Sequence, residues 1–255
     1  MMKDSTFSLV GKTALVTGSS RGIGRAIALG LAECGARVLV HGIRESEKSA
    51  EVLKAVSATG GEAHFIAGDL SADGGGSILG EAALRLVERV DVVVLNASLQ
   101  IKKDWREQTV EDSALQMKVN FQSSLEILQK LVPDMEKRGW GRIVTVGSVQ
   151  QLKPHPLMLP YAASKCAQMS LVRSLAKDLA PSGITVNNLA PGVILTDRNT
   201  EALNDAEYER KVLSLIPTGS LGESQDCVGA AQLLCSEAGQ YITGQDLYVD
   251  GGMSL

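Results

Sequence analysis

The chain is poor in aromatic residues, which fill 4% of its 255 positions, and it has three histidines and four cysteines. Each scarcity excludes something. Cys34, Cys166, Cys227 and Cys235 show no CxxC spacing, so free, partly buried thiols in a reducing compartment are expected in place of a disulfide framework. His41, His64 and His155 are scattered, without the spacing or carboxylate neighbours of a zinc site, and no metal is expected. No apolar run approaches the ~18 to 20 residues of a membrane span, and the N-terminus, MMKDSTFSLVGK, places Asp4 and several hydroxyls where a signal peptide needs an apolar core. A soluble cytoplasmic protein that does not engage membranes is the expectation. Charge of one sign is missing too: 25 Lys plus Arg stand against 29 Asp plus Glu, with no long run of either. Without a basic stripe to displace a polyanion's counterions, nucleic acid is not an expected partner.

What is present is alternation. Short β-branched runs at 13–17, 37–41, 63–67, 91–96, 142–147, 184–190 and 246–249 read as strands, mostly as continuous apolar runs that suit strands covered on both faces. Between them, helical patterns fall at 22–34, 45–59, 77–88, 109–137, 161–180, 204–214 and 224–236. Strict alternation of strand and helix predicts right-handed βαβ crossovers, hence an α/β fold with a doubly wound parallel sheet of about seven strands and helices on both faces. With no repeat and no linker, residues 1–255 read as one domain. Gly74 to Gly76 form a low-complexity tract expected to shorten or loosen the helix before Glu81.

The first strand runs into Thr17-Gly18-Ser19-Ser20-Arg21-Gly22-Ile23-Gly24 and then a helix. Glycines in such a turn allow a tight bend, close approach of a pyrophosphate and close packing of helix on strand, while the helix N-terminus offers unpaired N–H groups to phosphate. The spacing is G-x-x-x-G-x-G and not the G-x-G-x-x-G of other dinucleotide folds. After the second strand, Gly42-Ile43-Arg44 carries no acid before Glu45 to take a ribose 2'-hydroxyl, whereas Arg21 and Arg44 could meet a 2'-phosphate. NADP(H) is therefore the expected cofactor, with NAD(H) as the alternative.

The strand ending at Gly147 is followed by Ser148, and 13 residues later by Tyr161-Ala162-Ala163-Ser164-Lys165. On a helix, positions i and i+4 share a face, so the Lys165 ammonium can lie below the Tyr161 phenol. A phenol ionises near pH 10, and an adjacent positive charge favours the phenolate; work near neutrality needs a shift of about 2 to 3 units, or roughly 3 to 4 kcal/mol. Ser148, at a strand's carboxyl end, can bond a substrate oxygen as charge develops on it.

These features together resemble the short-chain dehydrogenase/reductase family over nearly the whole chain, from about Leu9 to Met253. The likeness rests on the TGSSRGIG turn, Asp69-Leu70, Asn96-Ala97, Asn120, Ser148, YAASK at 161 to 165, VNNLAPG at 186 to 192 and ITGQDLYVDGG at 242 to 252. It implies a single-domain Rossmann-type fold and a hydride transfer between the nicotinamide and a carbonyl/secondary-alcohol pair. It also implies that Tyr161 is the general acid and base, that Lys165 holds the nicotinamide ribose and lowers the phenol's pKa, and that Ser148 orients the substrate oxygen. Asn120 would hold a water linking Lys165 to solvent. Asp69 and Leu70 would contact the adenine, and Asn96, Pro191, Gly192, Val193 and Thr196 would line the ribose and nicotinamide; with Gly18, Ser20, Arg21, Gly22, Ile23, Gly24 and Arg44 they form the expected cofactor site.

Ser98 stands where the family usually has a glycine that permits positive φ, so a modest local adjustment is expected; Gly147 stands where a second serine is frequent. The segment 149–160, with Gln150, Gln151, Lys153 and His155, and an insertion at about 196–217 are expected to build the substrate pocket. Their polarity suggests a polar or anionic carbonyl compound, and the likeness is greatest to gluconate 5-dehydrogenases and 3-oxoacyl-[acyl-carrier-protein] reductases. A catalytically silent NADP(H)-binding sensor or scaffold is the alternative from another class, disfavoured because it has no need to keep Asn120, Ser148, Tyr161 and Lys165 together. The resemblance also implies a homotetramer, with helices 109–137 and 161–180 in one interface.

Overall fold

The computed structural model describes residues 5–197, 199 and 204–255. The strands are β1 (Thr13–Val16), β2 (Arg37–Gly42), β3 (Ala63–Ala67), β4 (Val92–Leu95), β5 (Gly141–Val146), β6 (Ile184–Pro191), β7 (Ile194–Leu195), β8 (Gly222–Glu223) and β9 (Asp246–Val249). Seven of them form one sheet in the order β3-β2-β1-β4-β5-β6-β9, every pairing parallel. The two-residue strands β7 and β8 pair with each other outside it, too short to give a sequence signal.

The helices are α1 (Gly22–Glu33), α2 (Glu47–Ala58), α3 (Gly75–Leu86), α4 (Val110–Met117), α5 (Ser123–Arg138), α6 (Leu159–Leu179), α7 (Ala206–Leu213) and α8 (Asp226–Cys235). Strand residues alternate between two apolar layers, as the two-residue period of a pleat requires. Leu15, Leu39, Val93, Ile143 and Val186 pack with residues of α3, α5 and α6, whereas Ala14, Val16, Val38, Val40, Val92 and Val144 pack with α1, α2 and α8. Every central strand is thereby covered on both faces, which is why its sequence reads as an unbroken apolar run. No helix among the described residues is long and apolar enough to cross a membrane.

Three helical expectations change. The pattern at 109–137 is not one helix: α4 starts at a Thr109 capping box and passes through a π-helical turn, Lys118–Gln122, before α5. A π-turn inserts one residue without breaking the apolar stripe, so the periodicity hides it. Gly74 to Gly76 neither shorten nor loosen α3. Gly74 caps it with φ 67°, the helix runs for 12 residues, and a side chain at Gly76 would come within 2.3 Å of the Ser123 carbonyl oxygen. The glycines let α3 start in direct contact with α5. In the insertion, positions 198 and 200–203 lie outside the described residues, and the helix expected at 204–214 spans Ala206–Leu213 behind an Asp205 cap.

The strand order reverses at β1, whose neighbours β2 and β4 lead to opposite halves of the sheet. Open α/β sheets bind ligands beyond the strand ends at this reversal.

Candidate active site

A cavity of about 1300 Å³ opens at that point, and its wall begins where β1 ends. Thr17 Oγ1 accepts the backbone N–H groups of Asn96 and Ala97 at 2.9 and 3.0 Å, and Asn96 Nδ2 donates to the Thr17 and Gly18 carbonyls at 2.8 and 3.0 Å. Gly24 packs into this knot: a Cβ there would lie 2.4 Å from Asn96 Nδ2. Beyond the turn, α1 begins at Gly22 behind an Arg21 that gives no side-chain cap, with no acid in its first turn, although α2 and α4 both carry complete capping boxes. Its leading N–H groups and the positive end of its dipole are left for an anion.

His41, set aside at the sequence level as one of three scattered histidines, closes the turn. It is 3% exposed; its Nδ1 accepts the Gly18 N–H at 2.9 Å and its Nε2 donates to the Gly68 carbonyl at 3.0 Å. Burial lowers its pKa to about 4, so the ring is neutral and this tautomer is the one both bonds require. One imidazole thus ties the glycine turn to the residue preceding Asp69.

Arg21 and Arg44 line the cavity near the end of β2, as the sequence suggested, and Lys48 from the first turn of α2 joins them. Lys48 carries no signal in the sequence, because it stands inside α2 and not at the strand end itself. Asp197 lies 2.7 Å from Lys48 and 3.5 Å from Arg21, and these cations hold its carboxyl below the usual range. Asp69 Oδ1 accepts from the Ser71 N–H and hydroxyl at 2.9 and 2.6 Å, which lowers its pKa, while Leu70 beside it is buried. Gly18, Ser20, Gly22, Ile23, Gly24, Asn96, Pro191, Gly192, Val193 and Thr196 all line the same cavity. Ser98 lines it too, and no non-glycine among the described residues takes a positive φ, so the serine needs no strained backbone. An uncapped helix start, a Gly24 without room for a Cβ and three cations, two of them shared with Asp197, fit a dinucleotide bearing an extra phosphate.

Next along the cavity, Ser148 and Tyr161 line the wall at the end of β5, 9% and 5% exposed. Ser148 Oγ accepts the Gln150 N–H at 3.2 Å. Lys165 Nζ lies 5.6 Å from the Tyr161 ring centroid, behind the cavity wall, and donates to the Val146 carbonyl at 2.7 Å. Asn120, in the π-turn, is fully buried. Its side chain accepts the Leu99 N–H at 2.7 Å and donates to the Leu99 carbonyl and Ser164 Oγ at 2.9 and 2.8 Å, clamping the loop after β4 to α6. Ser148 and Tyr161 thus meet at the cavity wall, with Lys165 behind Tyr161 and Asn120 joined to the same helix through Ser164.

The far half of the cavity is lined by Gln100, Lys102, Gln150, His155, Tyr208 and Lys211, among others. Two expected pocket residues turn elsewhere: Gln151 Nε2 donates to Asp246 on β9 at 2.5 Å, and Lys153 Nζ donates to the Leu255 main-chain oxygen. The extended backbone at Ser148 and the following 3-10 turn direct these side chains to the C-terminal segment. Burial and the charges of Lys102 and Lys211 hold the His155 pKa below its usual value.

A family model described as enoyl-(acyl carrier protein) reductase matches residues 18–254. The chain belongs to the short-chain dehydrogenase/reductase family. As a member it is an oxidoreductase, and the likeness to sugar-acid dehydrogenases and oxoacyl reductases read from its motifs is borne out. This short-chain dehydrogenase/reductase is 38% identical over 246 residues to glucose 1-dehydrogenase of Gluconobacter oxydans, covering 96% of this chain and 92% of that one. A 3-oxoacyl (acyl-carrier-protein) reductase of Agrobacterium tumefaciens, solved with NADP bound, matches with TM-score 0.93 at 43% identity, covering 97% and 96% of the two chains. A gluconate 5-dehydrogenase of Burkholderia cenocepacia, in complex with NADP and tartrate, matches with TM-score 0.92 at 33% identity, covering 98% and 97%.

Proposed function

We propose that this enzyme transfers a hydride between NADP(H) and a carbonyl/secondary-alcohol pair, on a polar keto or hydroxy compound such as a sugar acid or a 3-oxoacyl thioester. The observation that carries the reading is Tyr161, set in the cavity wall with the Lys165 ammonium behind its ring. When bound, NADP(H) supplies or removes the hydride. Tyr161 gives its phenolic proton to the substrate oxygen during reduction and takes it back during oxidation. Lys165 favours the phenolate through its charge and, as the family likeness implies, would hold the nicotinamide ribose hydroxyls. Ser148 donates a hydrogen bond to the substrate oxygen as negative charge gathers there. Asn120 holds the loop and helix in register around these groups and offers the π-turn as the seat of a relay water.

In the cofactor half, the open N-terminus of α1, with Gly18, Ser20, Gly22, Ile23 and Gly24, receives the pyrophosphate. Arg21, Arg44 and Lys48 favour a 2'-phosphate, Asp69 and Leu70 bracket the adenine, and Asn96, Pro191, Gly192, Val193 and Thr196 line the ribose and nicotinamide. NADP-bound relatives support the cofactor. In the substrate half, Lys102, Lys211 and His155 line a wall whose described residues include no carboxylate, which supports a substrate carrying negative charge. The whole chain serves as one dinucleotide-binding domain with a substrate loop at about 196–217, working as a homotetramer in the cytoplasm. Light scattering at micromolar concentration is expected to give the tetramer mass, and a monomer mass overturns the assembly.

The test is a panel of keto acids, sugar ketones and acyl thioesters, with both cofactors, on wild type and Tyr161→Phe. The variant is expected to bind NADPH as before and to lose about 100- to 10,000-fold in kcat. Turnover that survives the substitution overturns the chemistry, and a higher kcat/KM with NADH overturns the cofactor assignment.

A further inference from the structure

Tyr161, Lys165 and Gln168 stand at i, i+4 and i+7 of α6, one stripe of a single helix face. Gln168 is 0% exposed, and the reaction as described leaves it no role. Its Oε1 accepts from Lys165 Nζ at 2.8 Å, and its Nε2 donates to Ser124 Oγ at 3.4 Å. Ser124, in the first turn of α5, donates in turn to the Asn120 main-chain carbonyl at 3.2 Å. The directions are forced by chemistry. An ammonium only donates, so the amide must present its oxygen to Lys165 and its NH2 to Ser124, and a hydroxyl that accepts on one side is left to donate on the other. The chain Lys165, Gln168, Ser124, Asn120 carbonyl therefore has one consistent polarity, and it links α6 to α5 and to the π-turn.

Resting on the reading that Tyr161 exchanges the proton, we propose that Gln168 is a positioning residue for the reaction. Its amide oxygen fixes the Lys165 ammonium behind the Tyr161 ring, and its amide nitrogen, through Ser124, anchors that arrangement to the π-turn at Asn120. A buried ammonium keeps its charge and place only while acceptors hold it. Val146 supplies one from β5 and Gln168 another from α6 itself. In this hydrogen-bonded chain Lys165 is the titratable group: it donates to the Val146 carbonyl of β5 and to the Gln168 amide, and the Ser124 hydroxyl of α5 and the Asn120 carbonyl of the π-turn, which continue the chain, do not titrate. The phenol's ionisation thus depends on a residue that touches neither substrate nor cofactor.

The readout is the ultraviolet absorbance of the Tyr161 phenolate, obtained by subtracting the Tyr161→Phe titration from that of each parent; the chain has four tyrosines, so the difference is well defined. Gln168→Glu sets a carboxylate against the ammonium and is expected to raise the Tyr161 midpoint by about one pH unit, and Gln168→Met, which removes the acceptor, by about half a unit. Ser124→Ala is expected to shift it less, in the same direction. In alcohol oxidation the rising limb of kcat against pH moves with the midpoint, while KM for NADP changes less than about threefold. If Gln168→Met fails to fold, Gln168→Glu, with nearly the same shape and its acceptor oxygens retained, carries the test. Midpoints and pH profiles that coincide with wild type in these variants, whatever happens to melting temperature, overturn the proposal. Its failure is separable from that of the wider reading, which falls instead on turnover surviving Tyr161→Phe.

Discussion

At the cofactor end of the cavity, Thr17, Gly18, His41, Gly68 and Asn96 hold one another through hydrogen bonds of 2.8 to 3.0 Å, with Thr17 and His41 buried. At the substrate end, Lys102, Leu157, Lys211 and Leu215 stand exposed on loops and around the short helix α7. The first region can change little without breaking the turn that receives phosphate, because each polar group there is another's partner. The second can change one side chain at a time. A family acting on many alcohols with one kind of cofactor calls for this division: loops on a rigid scaffold carry specificity.

The sharpest way to break the rigid half is through His41. His41→Phe keeps a ring of similar size but leaves the Gly18 N–H and the Gly68 carbonyl without their partners, at a cost of roughly 1 to 3 kcal/mol in stability, and NADPH affinity is expected to fall about tenfold as the turn loosens. The wild type should also carry an acid-sensitive component that the variant lacks. The folded pKa is about 4 against an ordinary 6.5, so between those values the unfolded chain binds a proton that the folded one excludes. Stability from this source is complete above pH 6.5, falls as the pH drops toward 4, and levels off below, about 3 kcal/mol in all. Denaturant unfolding at pH 7 and 4.5 checks it: the gap between wild type and His41→Phe should narrow at the lower pH, and parallel curves would show that His41 plays no such part.

The same contrast decided what could be read from the sequence. Gly18, Gly22 and Gly24 sit at fixed offsets from the end of β1 and their conformational demands are local, so the residues alone mark them, whereas Asp69 and Asn96 are marked only by the family resemblance, the partners of Asn96 lying 78 and 79 positions away. His41 is marked by neither, because its partners lie 23 and 27 positions away and a single histidine on an apolar strand has no spacing to betray it. Gln168 was hidden similarly: Ser124 lies 44 positions away, and although Lys165 is only three positions off, Gln168 itself stands beyond the YAASK motif on a long helix. The π-turn at Asn120 and the close packing of Gly76 on α5 are also products of tertiary contact, one preserving the apolar period and the other resembling a helix-breaking tract. In the loops Gln150 and His155 line the cavity, but polarity alone does not say which way a loop side chain points, and Gln151 and Lys153 point away.

The loose half offers the smallest expected effect and the finest discrimination. Among the described residues neither Lys102 nor Lys211 has an ion-pair partner, and the carboxylates of the cavity wall, Asp69 and Asp197, belong to the cofactor end. Both ammoniums are exposed, so water screens them and each is worth well under the energy of a buried pair; together they should favour an anionic group by about 1 kcal/mol. Lys102→Gln with Lys211→Gln is accordingly expected to lower kcat/KM for a keto acid about fivefold. A neutral keto sugar of the same length should be turned over within about twofold of wild type, and the preference of the wild type for the acid should shrink as salt is raised. Removing the two cations also lets the His155 pKa rise, which leaves the imidazole able to keep part of the preference below neutrality. Equal losses on the acid and the neutral sugar would mean that the lysines shape the pocket without reading charge, and specificity would then have to be sought in the apolar wall of Leu157, Met158 and Leu215.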